Sequence, residues 1–227
     1  MSVLERQLKD CTAVWKFKYQ MMQLLLYVRL QEVVVEDSFY PHLNGLKNII
    51  LKNGCDNKAK YTQKTDGIFW DETQNCVKEH NDMNLEEIYI DNMAQQLVVN
   101  PEQFNNSVIL STNLFMDIIS ELASGIVGSI GLIYSANMGD SYAMFEAAHG
   151  SAPSFKGQNK VNPTATILAG AWMAEYLGES HIREAIFSAT EHVINEGKTI
   201  TFDIGGNAST SQMVDAITIL AKEKLRK

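Results

Sequence analysis

From Glu86 to Leu225 the chain alternates short apolar runs, bounded by turn residues, with longer stretches whose apolar residues recur at helical spacing. No other feature limits the fold as much, because successive strands and helices bury their apolar surface by laying helices on sheet, which is the α/β layered class. "EEIYID" reads as a short strand, "NMAQQLVV" as a helix ended near Pro101, "NSVILST" as a buried strand and "MDIISELASGI" as a helix. The glycine-rich "GIVGSIGLIYSANMGD" winds back toward "SYAMFEAA", another strand. In "NPTATILAGAWMAEYLG" the local signals agree: Asn162 caps, Pro163 suits the first helical position and Gly178 stops the helix. "HIREAIFSATEHVINEG" ends on Gly197 in the same manner, and "STSQMVDAITILAKEKLRK" opens on hydroxyl caps and closes on cations that suit a helix C-terminus. Before residue 57 the pattern fails, since "WKFKYQMMQLLLYVRLQEVVVED" keeps neither a clean helical nor a clean strand period. The chain therefore divides into an atypical segment, 1–57, and a legible α/β stretch, 58–227.

Charge and cysteine usage narrow the class of partner. With 27 acids against 19 bases the net charge is −8, which disfavours nucleic acid or an anionic membrane as the main partner and leaves small molecules. Cys11, Cys55 and Cys76 are odd in number and lack metal-type spacing, so reduced thiols in the cytoplasm fit better than a disulfide framework. "MMQLLLYV" is too short to span a bilayer, and the residues before it lack the features of an export signal.

Two places carry chemistry. Asp117 and Glu121 stand four apart in "NLFMDIISELA", so one helix face holds both carboxylates. Like charges at that spacing repel unless a cation joins them, and apolar neighbours Phe115, Met116, Ile118, Ile119 and Leu122 argue against a freely solvated acidic face. The spacing alone fits a magnesium or manganese site as well as it fits a surface pair. Asp91, after an apolar strand and before a helix, reads by itself as an N-cap. In "MFEAAHGSAP", His149 precedes Gly150, Ser151 and Ala152, which leave the backbone approachable, and Asn162 with Pro163 opens a helix about a dozen residues later. A helix N-terminus beside such a loop suits phosphate or ribose. Neither "GIVGSIG" nor "EGKT" matches the familiar phosphate-binding motifs, so a nucleotide site here is not of the Rossmann or P-loop kind.

"DNMAQQLVVNPEQF", "NLFMDIISELASGIVGSIGLIYSANMGD", "FEAAHGSAP", "KGQNKVNPTA" and "DIGGNAST" together resemble the β-decarboxylating dehydrogenases of isocitrate, isopropylmalate and homoisocitrate, from about residue 57 to the end. The resemblance implies an isopropylmalate-dehydrogenase-like α/β fold, a layered mixed sheet flanked by helices, here without its N-terminal half. It implies that His149, Gly150 and Ala152, with Asn162, line the adenosine pocket of a nicotinamide cofactor, and that Asp203 approaches the adenine. It implies that Asp117 and Glu121 bind Mg2+ or Mn2+ together with Asp91 of a second subunit, so that a homodimer shares its active sites. Lys58, in "NKAK", takes the place of the catalytic lysine, so Lys58 and Asp91 are the catalytic residues given across the dimer. The reaction implied is oxidative decarboxylation of a 2-hydroxy acid, isocitrate first.

This sequence departs from the family pattern at several points. Met116 stands where the family has a glycine and Glu121 where it has a second aspartate. Ser154 and Phe155 offer no cation for a 2′-phosphate, and Gly206 stands where NADP-using relatives place an arginine, so NAD is the expected cofactor. The substrate arginines and active-site tyrosine are absent from residues 1–57. Yet when Glu5 through Phe17 are read back through permitted codons, with Arg6 as AGR and Leu8 as CTN, the frame beginning at each third base allows ETTEGLYSGLEV. From Gln20 the same frame allows DDAVVALRAITRGGSRRF. These strings resemble the family's ENTEGLYxGxE and RxITRxxSxR, and the first suggests isocitrate or homoisocitrate rather than isopropylmalate. The hypothesis is that residues up to about 57 are an out-of-frame translation. A second reading keeps the cofactor loop on a non-catalytic remnant or a dimer-forming chain.

Overall fold

The computed structural model describes residues 48–52, 70, 73–75, 78, 84–105, 107–111, 113–139 and 141–226, with backbone alone for 48–52 and 113. Lys58 lies outside the described residues. The chain forms two compact units: one contains residues 124–136 and 143–226, the other the described residues up to Ala123 together with 137–142.

The second unit is built on a parallel sheet. Its strands are β1 (Asn48–Lys52), β2 (Asn84–Glu87) and β3 (Ser107–Ser111), with β1 in the middle. The register sets Asn48 opposite both Asn84 and Ser107, and Leu51 opposite Glu87 and Leu110. Every residue of β3 is buried, as a continuous apolar run in a parallel sheet should be. Between β2 and β3 runs α1 (Ile90–Val99), whose buried residues Met93 and Leu97 are one turn apart. A 3₁₀ turn, Pro101–Phe104, follows and buries Phe104. After β3 the chain enters α2 (Asn113–Val127).

The strand read from "EEIYID" is displaced. Pairing with β1 ends β2 at Glu87, Tyr89 is extended, and Ile90 already begins α1. The apolar alternation there marks a strand end turning into a helix start, which is why Ile88 is buried outside the strand. The central strand β1 is not anticipated by the sequence pattern, because it falls in the stretch where no period is legible.

The first unit pairs β4 (Tyr134–Met138) with β5 (Ala143–Ala147). Backbone bonds from Gly139 N to Tyr142 O and from Ala148 N to Ile133 O give the pair its antiparallel sense. β5 packs on α3 (Thr164–Tyr176), α3 on α4 (Ser180–Glu196), and α4 on α5 (Thr210–Leu225). Ala189, Val193, Ile200, Met213, Ile217 and Ala221 are buried together in its core. Tyr134 stands edge-on to Trp172 and Phe187, with ring centroids 6.0 Å apart in both pairs, and Phe145 stands edge-on to Trp172 at 5.7 Å. This aromatic group joins the hairpin to α3 and α4.

The helix ends follow the sequence signals to within a residue. α3 starts one residue later than read, with Pro163 at the N-cap position and Thr164 first in the helix, although Asn162 Oδ1 still accepts from Thr164 N at 3.0 Å. Gly178 and Gly197 take positive φ after α3 and α4, and Ser209 forms a capping box with Gln212 at the start of α5.

Candidate functional site

The candidate residues fall into two groups, each inside one unit. In the unit of the parallel sheet, Asp117 and Glu121 are exposed on α2, while Met116 and Ile119 turn inward. The expectation that apolar neighbours would shield the acids is corrected: Met116 and Ile119 bury the opposite face, and the acids stay outside. Leu114 (66% exposed) and Ile118 (51% exposed) share this outer face, because residues 114, 117, 118 and 121 all lie within an arc of about 100° at helical spacing. Asp91 is exposed in the first turn of α1; its Oδ1 accepts from Asn92 N at 2.7 Å, and Tyr89, not Asp91, holds the N-cap position. Among the described residues no group of three or more His, Cys, Asp or Glu side chains is gathered as a metal would require. The arrangement implied by the resemblance takes Asp91 from a second subunit, so one chain presents two of its members. Two hard carboxylates on an exposed helix face have the donor chemistry that a magnesium-type ion takes.

The other group surrounds the loop 149–162. His149 is half-buried, with Nδ1 2.9 Å from the Gly150 carbonyl. A Cβ built on Gly150 would meet no atom within 4 Å, so packing within the protein does not require glycine there. Ala152 takes a left-handed conformation, φ 43° and ψ 61°, and opens the 3₁₀ turn Pro153–Phe155. Strain of this sort, in a residue other than glycine, collects at functional sites. Phe155 and Phe202 lie 5.6 Å apart between ring centroids, and the Lys160 ammonium sits over Phe202 at 4.5 Å. The loop is tied to the start of α5: Asn159 Oδ1 accepts from Ser211 N, and Thr210 Oγ1 donates to Val161 O.

Asn162 and Asp203 come together, but not as two free ligand contacts. Asn162 Nδ2 donates to Asp203 Oδ2 at 2.9 Å, and its Oδ1 is spent on Thr164 N, so both ends of a 6% exposed amide are engaged. Ser129 Oγ donates to the same Asp203 oxygen at 2.5 Å and accepts from Gly131 N at 3.0 Å. Asp203 Oδ1 is buried, and the carboxyl also draws on the Thr201 side chain and its own backbone N–H. Burial works against the charged form of Asp203, but hydrogen bonds led by the one from Ser129 outweigh it and hold the carboxyl below its ordinary value. A Cβ on Gly131 would lie 2.8 Å from Asn162 Cβ, so any side chain at this crossing forces its neighbours apart. Ser129 is not visible as a site residue in the sequence. It lies 74 residues from Asp203, and no local spacing joins them.

Gly206 also lies at a close approach. A Cβ there would come within 2.0 Å of the Ile200 carbonyl oxygen, which itself accepts from Ala208 N.

Known proteins share this architecture. Residues 54–217 match the family model described as isocitrate/isopropylmalate dehydrogenase, a span that contains every candidate residue above. The chain is 42% identical over 160 residues to the isocitrate/homoisocitrate dehydrogenase of Thermus thermophilus, covering 70% of this chain and 47% of that one. It is 38% identical over 189 residues to a regulatory chain of the mitochondrial NAD isocitrate dehydrogenase of Dictyostelium discoideum, covering 83% of this chain and 52% of that one. The crystal structure of isocitrate dehydrogenase from Methylococcus capsulatus superposes with a TM-score of 0.74 at 30% identity, over 94% of this chain and 57% of that one. The chain thus spans about half the length of the curated relatives it matches.

Proposed function

Because this chain belongs to the isocitrate/isopropylmalate dehydrogenase family, we propose that it carries part of an NAD- and divalent-metal-dependent dehydrogenase that oxidises a 2-hydroxy acid and releases its β-carboxylate. Isocitrate is the first substrate, ahead of homoisocitrate and isopropylmalate. The observation that carries the reading is the family match over 54–217, which takes in the acid pair and the cofactor loop together.

When bound, the dinucleotide supplies a hydride acceptor and the divalent cation a Lewis acid for the substrate's 2-oxygen. Asp117 and Glu121 hold the cation from one protomer, with Asp91 coming from the other. The mixed face of α2, two acids beside exposed Leu114 and Ile118, supports a second copy covering it. Lys58, carried over from the resemblance, moves the proton. The open space above Gly150 supports the adenosine end of the cofactor lying against the loop, and the Asn162-capped start of α3 offers a helix N-terminus to it. NAD is preferred to NADP because Ser154 brings no charge and the Ile200 carbonyl bars a side chain at 206. The protein acts in the cytoplasm.

A second reading, a chain without turnover of its own, is favoured by one observation: the similarity to a protein named as regulatory. Expression of this polypeptide beside a version with the frame restored over residues 1–57 separates the two. The three acids are offered with manganese, and NADH absorbance is followed. The restored version turns over isocitrate, and this chain stays nearly silent, because clamping the substrate's carboxylates supplies several kcal/mol of the barrier. Comparable turnover from both removes the out-of-frame hypothesis, whereas silence from both on all three acids removes the substrate class.

A further inference from the structure

The turn at 129–132, the start of α3 and the turn at 201–205 meet at a single carboxylate oxygen. A continuous path runs from Gly131 N to Ser129 Oγ, to Asp203 Oδ2, to Asn162 Nδ2, and from Asn162 Oδ1 to Thr164 N. We propose that Ser129 and Asp203 are positioning residues for the nicotinamide nucleotide: together they fix the orientation of the Asn162 amide and thereby the junction of the cofactor loop with α3. This rests on the reading of loop 149–162 as the cofactor site.

The direction of each bond is dictated by chemistry. An ionised carboxylate only accepts, so it draws the amide nitrogen of Asn162 toward itself and leaves the amide oxygen for Thr164 N. A neutral partner at 203 removes that distinction. The amide is then free to flip, presenting its nitrogen to the Thr164 N–H and leaving the first turn of α3 uncapped. Ser129 makes the charged form tenable, since its hydroxyl is the shortest donor to a part-buried oxygen while its own lone pair takes Gly131 N. With both amide ends engaged, Asn162 meets a nucleotide through its backbone, and the side chain acts as a strut. The groups that face Asp203 are neutral: Ser129, Thr201, Asn162 and its own backbone, with no charged side chain among the described residues contributing. The acid side of its titration therefore reports this network and not a nearby ion pair.

The test uses the full chain with NAD as probe, in wild type, Ser129→Ala, Ser129→Thr and Asp203→Asn. NAD affinity is measured by calorimetry from about pH 2 to 8, a range that reaches below the ordinary carboxylate value, and the Asn162 side-chain amide resonance is followed over the same range without nucleotide. Loss of the hydroxyl weakens NAD binding about five- to tenfold at neutral pH and moves the acid loss of binding to higher pH, and threonine restores both. Asp203→Asn weakens binding at neutral pH and abolishes that acid loss. In wild type the Asn162 resonance follows the same titration. If Ser129→Ala does not fold, the contrast between Ser129→Thr and Asp203→Asn decides. Wild-type affinity and an unmoved acid limb in Ser129→Ala overturn the positioning role and leave the cofactor site standing. Failure of the wild type to bind NAD at any pH overturns the site and this role with it. An Asn162 resonance indifferent to pH overturns the network.

Discussion

Replacing Gly131 by alanine is the most direct challenge to the geometry around Asp203. The added methyl group would lie 2.8 Å from Asn162 Cβ, and 3.3 Å from both Asn162 Cγ and Asp203 Oδ2. Carbon atoms rest about 3.5–4.0 Å apart, so one wall must retreat by roughly 0.7–1.2 Å. Asn162 cannot swing aside cheaply, because its amide is bonded at both ends and its backbone leads into α3. Overpacking of this size costs about 1–3 kcal/mol and loss of the Asn162 cap about 1 more. The lower unfolded-state entropy of alanine returns about 0.4–1 kcal/mol. The net expectation is a loss of about 1–3.5 kcal/mol, measured by urea denaturation followed by circular dichroism. Gly170→Ala is the internal control: it lies within α3, its Cβ would meet nothing within 4 Å, and helix propensity predicts a gain of about 0.5–1 kcal/mol. If Gly131→Ala falls within about 0.5 kcal/mol of wild type while Gly170→Ala behaves as stated, the close packing of this crossing is refuted.

Other expectations are more quickly checked. Gly150→Ala should leave the melting temperature unchanged yet weaken NAD binding by calorimetry, since the space beside Gly150 is empty of protein atoms; unaltered binding would count against the loop as cofactor site. The depressed pKa of Asp203 means that its contribution to stability is complete above the ordinary carboxylate range and fades as pH falls through the lower folded value. Asp203→Asn should therefore flatten that part of the acid-denaturation curve, and an unchanged curve would contradict the network. Manganese should raise the melting temperature of wild type and not of Asp117→Ala, by mass action on a site present only in the folded state; equal shifts would return the acids to a surface role. NAD should bind more tightly than NADP, and equal affinities would turn attention to Lys160 beside Phe155 and Phe202.

How much of the structure is legible in the sequence depends on the range of the interactions concerned. Helices α3, α4 and α5 are legible to within a residue of their ends because cap, proline and glycine signals act within a few residues; Asn162 accepts from the first turn, and Gly178, Gly197 and Ser209 do what their positions imply. β3 is legible because burial on both faces leaves a continuous apolar run. β2 is misplaced by a few residues because its register is set by β1, a strand far away in the chain whose own text carries no period. Asp117 and Glu121 are found by spacing, but their exposure depends on which side of α2 meets the sheet unit's interior. The engagement of Asn162 with Asp203, and the whole role of Ser129, rest on contacts 41 and 74 residues apart, which no window of sequence displays.

The tight turn from Ile200 to Ala208 has a consequence for how this lineage can change. A guanidinium placed at 206 is one nucleotide away for many glycine codons, yet its Cβ would displace the very carbonyl that closes the turn onto Ala208 N. Such a variant loses the turn before it gains any grip on an added phosphate, so selection meets a valley on that route. Ser154 and Phe155 offer a gentler path, since both positions already carry a side chain, the first exposed and the second half-buried on a 3₁₀ turn. A descendant with a different cofactor preference should carry its first changes at 154 and 155, with any change at 206 arriving only after the 200–208 turn has been rebuilt.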